Sequence, residues 1–150
     1  MAAVWTPEVF EADDGTVPYQ RFIEGLPDFA FAALDAAIER VLTVRGIDLA
    51  RTEWLKPLGE GMHEFRIRHD ADEIAAMFGS DVPRRVGRRE RILLRVFVHF
   101  YGTKVVLLLG GYDKGADPSE QRQRREIARA RKLLTQFKER QRRRRHRGRA

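Results

Sequence analysis

Residues 92–112 constrain the fold more than any other part of the sequence, because they predict a β-hairpin. The segment ILLRVFVHFYGTKVVLLLGGY is mostly apolar, β-branched and aromatic on both sides of Gly102-Thr103. Such residues favour strands, and a two-residue loop with Gly first suits a type II′ turn. This turn would pair Arg95 with Gly110 across the two strands. The chain is therefore expected to contain an antiparallel sheet.

The two faces of this hairpin differ, because side chains alternate along a strand. The face predicted to pack on the core carries Ile92, Leu94, Val96, Val98 and Phe100. The opposite face carries Leu93, Arg95, Phe97 and His99, together with Gly110 and Tyr112 of the second strand. An arginine in so apolar a segment needs an explanation, and Gly110 is expected to leave room above it. We therefore predict a functional site on the face of Arg95.

The net positive charge of the chain is confined to its C-terminal end. Residues 137–150 contain eight Lys or Arg and one Glu, whereas the preceding 136 residues contain 21 basic and 21 acidic residues. A block of like charges is typically solvated and disordered, and it can contact nucleic acid through phosphates. We expect a domain over residues 1–137 and a basic, disordered tail over residues 138–150, which either binds nucleic acid or only aids solubility.

Composition excludes several classes of site and protein. The chain has no cysteine, which excludes disulfides, thiol nucleophiles and thiolate metal sites. No apolar run approaches the roughly 18 residues that a membrane helix needs, and the acidic N-terminus with its proline does not resemble a signal peptide. Hydrophobic residues make up 43% of the chain, as in globular proteins. A cytoplasmic protein with a single folded domain is therefore expected.

The remaining segments predict helices around the hairpin. Residues 4–11 could form a strand, in which Pro7 favours an edge position. A short helix with Pro18 in its first turn and a longer helix that ends at Gly46 follow. Asp117-Pro118-Ser119-Glu120 predicts the start of a C-terminal helix. The expected fold class is α+β: an antiparallel sheet of about four strands, with an N-terminal helix pair and the C-terminal helix packed on one side.

A second predicted strand, residues 62–70, carries two more arginines. Its sequence MHEFRIRHD alternates, with its apolar residues on the core face and Arg66 and Arg68 on the other. The two like charges stand roughly 6.5–7 Å apart and repel each other unless an anion lies between them. The alternative is a solvent-exposed face on which Glu64 neutralises them. Residues 71–91 predict either more strand or a helical turn, followed by an exposed arginine-rich loop.

Four segments of the chain follow one another in an order that is typical of a known family. They are YQRFIEGL (19–26), LGEGMHEFR (58–66), the pair RVFV and VVLLLGGY (95–98 and 105–112), and EIARA (126–130). In this order the chain resembles the RelE/ParE superfamily of toxin–antitoxin toxins, and within it the HigB-like, phage-derived branch. The resemblance covers roughly residues 3–137 and implies a RelE-like fold. The chain departs from the family at Asp113-Lys114, where two lysines are usual.

The resemblance implies a metal-independent endoribonuclease that cuts messenger RNA on the ribosome and so inhibits translation. In such an enzyme the ribose 2′-hydroxyl attacks the neighbouring phosphate, which requires a base, an acid and a cation for the phosphate. The catalytic residues that it implies are Arg66, Arg95, Tyr112 and Lys114. The residues that we expect to bind RNA are Arg68, Arg85, Arg88, Arg89, His99 and Lys104. No metal or other cofactor is expected.

Several alternatives stay open at this point. Arg66 and Arg95 could form ion pairs with Glu64 or Asp70 that only stabilise the sheet. The protein could also be a non-enzymatic, ParE-like inhibitor of DNA gyrase, or a nucleic-acid-binding module that acts through its basic tail. The expected partners are the ribosome, messenger RNA and an antitoxin of the helix-turn-helix type. We expect the antitoxin to lie across an exposed sheet face or against an amphipathic helix.

Overall fold

The computed structural model describes residues 2–78 and 91–148. Its elements are β1 (Thr6–Val9), α1 (Pro18–Glu24), α2 (Asp28–Ala37), a π-helical turn (Ile38–Leu42), α3 (Thr43–Arg45), a 3₁₀ turn (Gly46–Leu49), β2 (Leu55–Gly59), β3 (Met62–Ile67), α4 (Ala71–Met77), β4 (Leu94–Tyr101), β5 (Val105–Asp113) and α5 (Glu120–Arg147). Most of the predicted arginine-rich loop lies outside the described residues. Arg85, Arg88 and Arg89 are therefore not placed.

The described strands form one five-stranded sheet in the order β1-β5-β4-β3-β2. The α+β class is confirmed, but the prediction of a purely antiparallel sheet of about four strands is wrong. β1 runs parallel to β5, with Thr6 opposite Val105. Parallel strands need a long connection rather than a tight turn, and here all the elements from α1 to β4 lie between the two strands. The segment that contains Leu55 forms the additional edge strand β2, paired with β3.

Helices cover both faces of this sheet, so the prediction that they all lie on one side is wrong. α2 and the π-helical turn pack with Val96 and Val98 in one core. α5 packs on the opposite face, where its Leu134 joins Phe97 and Leu107 in a second core. The reason lies in the hairpin, whose strands are apolar on both faces and must be covered on both to exclude water.

The hairpin sorts its residues onto the predicted faces but pairs them in a different register. Its loop has three residues, with Gly102 and Lys104 at φ values of 54° and 58°, so that Tyr101 pairs with Val105. A β-bulge then shifts the register again between the Val98–Leu108 and Phe97–Gly110 pairs. Arg95 consequently lies opposite Tyr112 rather than Gly110. The predicted gap above Arg95 does not exist.

The C-terminal helix is longer than predicted and includes most of the segment expected to be a disordered tail. α5 begins after Ser119, whose side chain accepts a hydrogen bond from the backbone N–H of Arg122, and it continues to Arg147. Its sequence contains no Gly or Pro, and Arg, Lys and Gln favour helices. Arg140 also holds the end of the helix to the body of the protein through Asp13, at 2.6 Å.

The region after β3 is helical, as one of the two sequence interpretations predicted. Asp70 begins α4 with a capping box: its carboxylate accepts from the backbone N–H of Glu73 at 2.8 Å, and the Glu73 carboxylate accepts from the backbone N–H of Asp70. Within the parts of the chain that the structure describes, no helix combines the length and apolarity needed to cross a membrane.

Candidate functional site

Three of the predicted catalytic residues lie side by side across the middle of the sheet. Arg66 of β3 is opposite Arg95 of β4, and Arg95 is opposite Tyr112 of β5. The three side chains share the α5 face because residues paired across antiparallel strands point to the same side. Lys114 follows two residues after Tyr112. The structure thus brings these predicted residues together, although the pairing assumed for the hairpin is wrong.

A buried carboxylate, Glu64, holds the two arginines together. Its side chain is fully buried, and Oε1 lies 3.1 Å from Nε of Arg66 and 3.4 Å from Nε of Arg95. The expected pairing of these arginines with Glu64 is therefore present, whereas Asp70 serves as a helix cap. Sequence analysis did not assign a functional role to Glu64, yet the alternation of MHEFR already placed it on the face of Arg66.

Arg95 is enclosed, with only 2% of its surface exposed. Its Nη1 donates to the carbonyl oxygen of Leu94 at 3.2 Å. Burial lowers the pKa of Arg95 and Glu64 raises it, and the guanidinium remains charged at neutral pH. Arg66 differs, because 22% of its side chain is exposed, and Arg68 lies further out on the surface. In this arrangement a ligand from solvent can reach Arg66 and Arg68 but not Arg95.

Tyr112 is also buried, with 1% exposure. Its ring lies parallel to that of Phe97, at 6.2 Å between centroids, and the guanidinium of Arg122 lies over it at 5.4 Å. Burial raises the pKa of Tyr112 and Glu64 raises it further, so the phenol stays protonated at neutral pH. Its hydroxyl has no hydrogen-bond partner among the described residues. Because its ring is enclosed in this way, Tyr112 is not available to stack on a nucleotide base.

Lys114 completes the group at the end of β5. A tight turn fixes its position, because the carboxylate of Asp113 accepts from the backbone N–H groups of Gly115 at 2.9 Å and Ala116 at 3.3 Å. Asp113, which stands where the resembling family carries a lysine, therefore has a structural use here. Partial burial lowers the pKa of Lys114, and the positive charge of Arg95 lowers it further. A lysine in this environment gives up its proton more readily than an ordinary one.

Two predicted RNA-binding residues lie away from this group, towards the hairpin loop. His99 is four residues from Arg95 along β4, about 13 Å at the usual rise. Its Nδ1 is 2.7 Å from the carbonyl oxygen of Gly61, and burial lowers its pKa. Lys104 lies in the hairpin loop with its ammonium group 4.7 Å from the centre of the Trp5 ring. Neither residue can take part in proton transfer at Arg66 or Arg95.

We name the four cations Arg66, Arg68, Arg95 and Lys114, together with Glu64, the arginine cluster. Among the residues that the structure describes, no group of three His, Asp or Glu side chains is arranged to hold a metal ion. No protein-family model matches the chain, and comparisons with curated proteins and with solved structures gave no significant match. The arginine cluster is therefore the basis for assigning a function.

Proposed function

We propose that the protein is the toxin of a type II toxin–antitoxin system and acts as a ribosome-dependent endoribonuclease on messenger RNA. The proposal combines the sequence resemblance to RelE/ParE toxins with the chemistry of the arginine cluster. It requires a site that attracts a phosphate, stabilises its additional negative charge and accepts a proton from a hydroxyl group.

The observation that carries the proposal is an excess of positive charge around Glu64. Four cations surround this carboxylate, and it makes ion pairs with only two of them, Arg66 and Arg95. The two cations that make no ion pair with Glu64 are Arg68, which is exposed, and Lys114, which is half-buried. The positive charges of Arg66 and Arg68 help to lower the pKa of Lys114, so these cations repel one another unless an anion joins them. A phosphate bound between Arg66, Arg68 and Lys114 would relieve this repulsion.

The proposed reaction divides the work among these side chains. In the fraction of molecules in which Lys114 has lost its proton, a fraction that its lowered pKa increases, the amine takes the proton of the ribose 2′-hydroxyl. The 2′-oxygen forms a bond to phosphorus while Arg66 and Arg68 stabilise the pentacoordinate phosphate. The bond to the 5′-oxygen then breaks, the 5′-oxygen takes a proton from solvent, and a 2′,3′-cyclic phosphate remains. Arg95 does not touch the RNA and instead positions Arg66 through Glu64.

The test is cleavage of a defined messenger RNA in a translating extract, with the ends of the products analysed chemically. We expect wild-type protein to produce 2′,3′-cyclic phosphate and 5′-hydroxyl ends in the presence of ribosomes. Arg66→Ala removes a charge that stabilises the pentacoordinate phosphate, and Lys114→Ala removes the base. Each should reduce the cleavage rate by about 100-fold. Arg95 is not a suitable test residue, because its removal also changes the buried ion pairs.

Matched controls make the outcome decisive. Arg40→Ala removes an exposed arginine from the other face of the sheet and should leave cleavage unchanged. Circular dichroism and thermal unfolding should show that Arg66→Ala and Lys114→Ala remain folded. Inhibition of DNA gyrase with translation intact would replace the proposal with the non-enzymatic alternative. Full cleavage activity in both cluster variants would also refute it.

The sequence leaves two ways for the proposed antitoxin to dock, across an exposed sheet face or against an amphipathic helix, and we propose the second. Because helices cover both faces of the sheet, it cannot lie across a broad exposed face. A groove of about 570 Å³ between α1 and α5 begins beside the cluster, at Arg122 and Phe97. We expect the partner to approach along this groove. A co-expressed neighbouring protein that abolishes cleavage should protect Arg66 from modification by an arginine-specific reagent.

A further inference from the structure

An open groove of about 810 Å³ lies at the opposite end of α5 from the arginine cluster. One side of this groove is aromatic and the other carries positive charge. The residues that line it include His99, Tyr101, Phe137, Lys138, Arg142 and Arg145. We call it the distal groove. The proposed reaction uses none of these residues.

The aromatic side of the distal groove is held in a fixed geometry. The rings of His99 and Tyr101 are parallel within 6°, with centroids 6.1 Å apart, and Phe137 packs edge-on against Tyr101 at 4.7 Å. The hydroxyl of Tyr101 donates to Oε2 of Glu8 at 2.5 Å. His99 is fixed by its hydrogen bond with Gly61. Fixed aromatic surfaces of this kind provide stacking positions for nucleotide bases.

The charged side is one face of α5. Lys138, Arg142 and Arg145 follow one another at i, i+4 and i+7, which places them on the same side of the helix. Arg142 pairs only loosely, at 3.9 Å, with Glu139. Arg143 and Arg144, which lie between Arg142 and Arg145 in the sequence, add positive charge on the adjoining sides of the helix. The positive charge along this side of the groove therefore favours the binding of a polyanion.

The helix that carries these charges is tied to the rest of the protein on two sides. Lys138 donates to the carbonyl oxygen of Glu60 at 2.7 Å, and Arg131 donates to that of Leu58 at 2.6 Å. On the other side Arg140 pairs with Asp13. The basic face of α5 is therefore held at a fixed position relative to the aromatic side of the groove. The charges of a disordered tail would not be held in this way.

We propose that the distal groove binds single-stranded RNA, with bases against His99 and Tyr101 and phosphates along Lys138, Arg142 and Arg145. The choice of RNA as the polyanion rests on the proposed function. Arg122 and Arg142 are 20 residues apart on α5, about 30 Å at the usual helical rise. The groove thus binds the transcript well away from the point of cleavage and increases the affinity for RNA without taking part in the chemistry.

The experiment measures binding of a fluorescent, unstructured RNA 12-mer by anisotropy, without ribosomes, over a range of salt concentrations. Arg142→Ala combined with Arg145→Ala should make the slope of log K against log salt shallower by about 1.4, because each phosphate contact contributes about 0.7. Tyr101→Leu should weaken binding about tenfold, whereas Tyr101→Phe, which keeps the ring, should bind like the wild type. Arg40→Ala combined with Arg51→Ala, at exposed positions outside the groove, should leave the slope unchanged.

The outcomes separate this inference from the proposed enzymatic activity. If wild-type protein cleaves RNA on ribosomes, but Arg142→Ala with Arg145→Ala and Tyr101→Leu bind the 12-mer with the wild-type affinity and salt dependence, the distal groove is not an RNA site. Tighter binding of an acidic peptide or of duplex RNA than of the single strand would likewise overturn the inference. If RNA binds in the groove but nothing is cleaved, the proposed enzymatic activity alone is wrong.

Discussion

Replacement of Glu64 by glutamine tests the central electrostatic contact of the fold. Glutamine keeps the shape of the side chain but removes its charge. Arg95, with 2% exposure, would then be a buried cation without its counter-ion, and it would still lie next to the positive charge of Arg66. Loss of one partner of a buried ion pair leaves the other charge poorly solvated, which costs more than the pair itself contributes.

The expected cost follows from the burial of the two partners. Removal of one side of a buried pair typically lowers the free energy of unfolding by about 3–5 kcal/mol. Arg66 adds little to this, because its side chain is partly exposed and water can solvate it. For a chain of this size the change corresponds to a decrease in Tm of about 10 °C. Glu120→Gln is the matched control, and it should cost less than about 0.5 kcal/mol because Glu120 is 84% exposed.

Urea denaturation followed by circular dichroism measures these differences directly. The double variant Glu64→Gln with Arg95→Met replaces the ion pair with neutral side chains, so it should recover about 2 kcal/mol or more relative to Glu64→Gln alone. A cost below 1 kcal/mol for Glu64→Gln, or strictly additive effects in the double variant, would refute the conclusion that Glu64 compensates the buried charge of Arg95.

Two further predictions concern packing and pH. A Cβ at Gly111 would lie 2.6 Å from a backbone oxygen of β4 and 2.7 Å from the ring of Phe22. Gly111→Ala should therefore lower the free energy of unfolding by about 1–3 kcal/mol in urea denaturation. An unchanged urea midpoint would contradict the close approach of α1 to β5. Burial alone would lower the pKa of His69, but its contacts with Glu53 and Glu73 outweigh this effect and raise the pKa above 6.5. The protonated imidazole therefore stabilises the folded protein fully below about pH 6.5, and this stabilisation is lost as the pH rises through the raised pKa. The stability of the wild type relative to His69→Gln should therefore fall as the pH rises above about 6.5, and parallel pH profiles would rule this out.

The hairpin shows what the sequence can predict and where that information ends. Alternation of apolar residues correctly assigns Arg95, Phe97 and Tyr112 to the same face. The register was predicted incorrectly because it depends on backbone details that alternation does not specify. Lys104 adopts a positive φ and lengthens the loop, and an additional residue in β5 forms a bulge. Each of these shifts the pairing by one residue, and together they bring Tyr112, rather than Gly110, opposite Arg95.

The C-terminal segment was predicted incorrectly for a different reason. Its composition, rich in arginine and without apolar residues after Phe137, is that of a disordered tail. The helix continues because Arg, Lys and Gln favour it and no Gly or Pro interrupts it, and the pair between Arg140 and Asp13 adds a contact distant in sequence. Burial of Arg95 was equally hidden from sequence analysis. It depends on Glu64 lying on the neighbouring strand in the correct register, which no local pattern specifies.

The parallel pairing of β1 with β5 has a consequence for the order in which the protein folds. Thr6 cannot find its partner Val105 until almost a hundred further residues have been synthesised, and Asp13 must wait for Arg140, 127 residues later. Contacts so remote in sequence form late and slow the folding of a chain. The N-terminal strand therefore remains unpaired through most of translation. A nascent copy of the protein cannot complete its sheet, or dock the end of α5 against Asp13, before nearly all of its residues have been made.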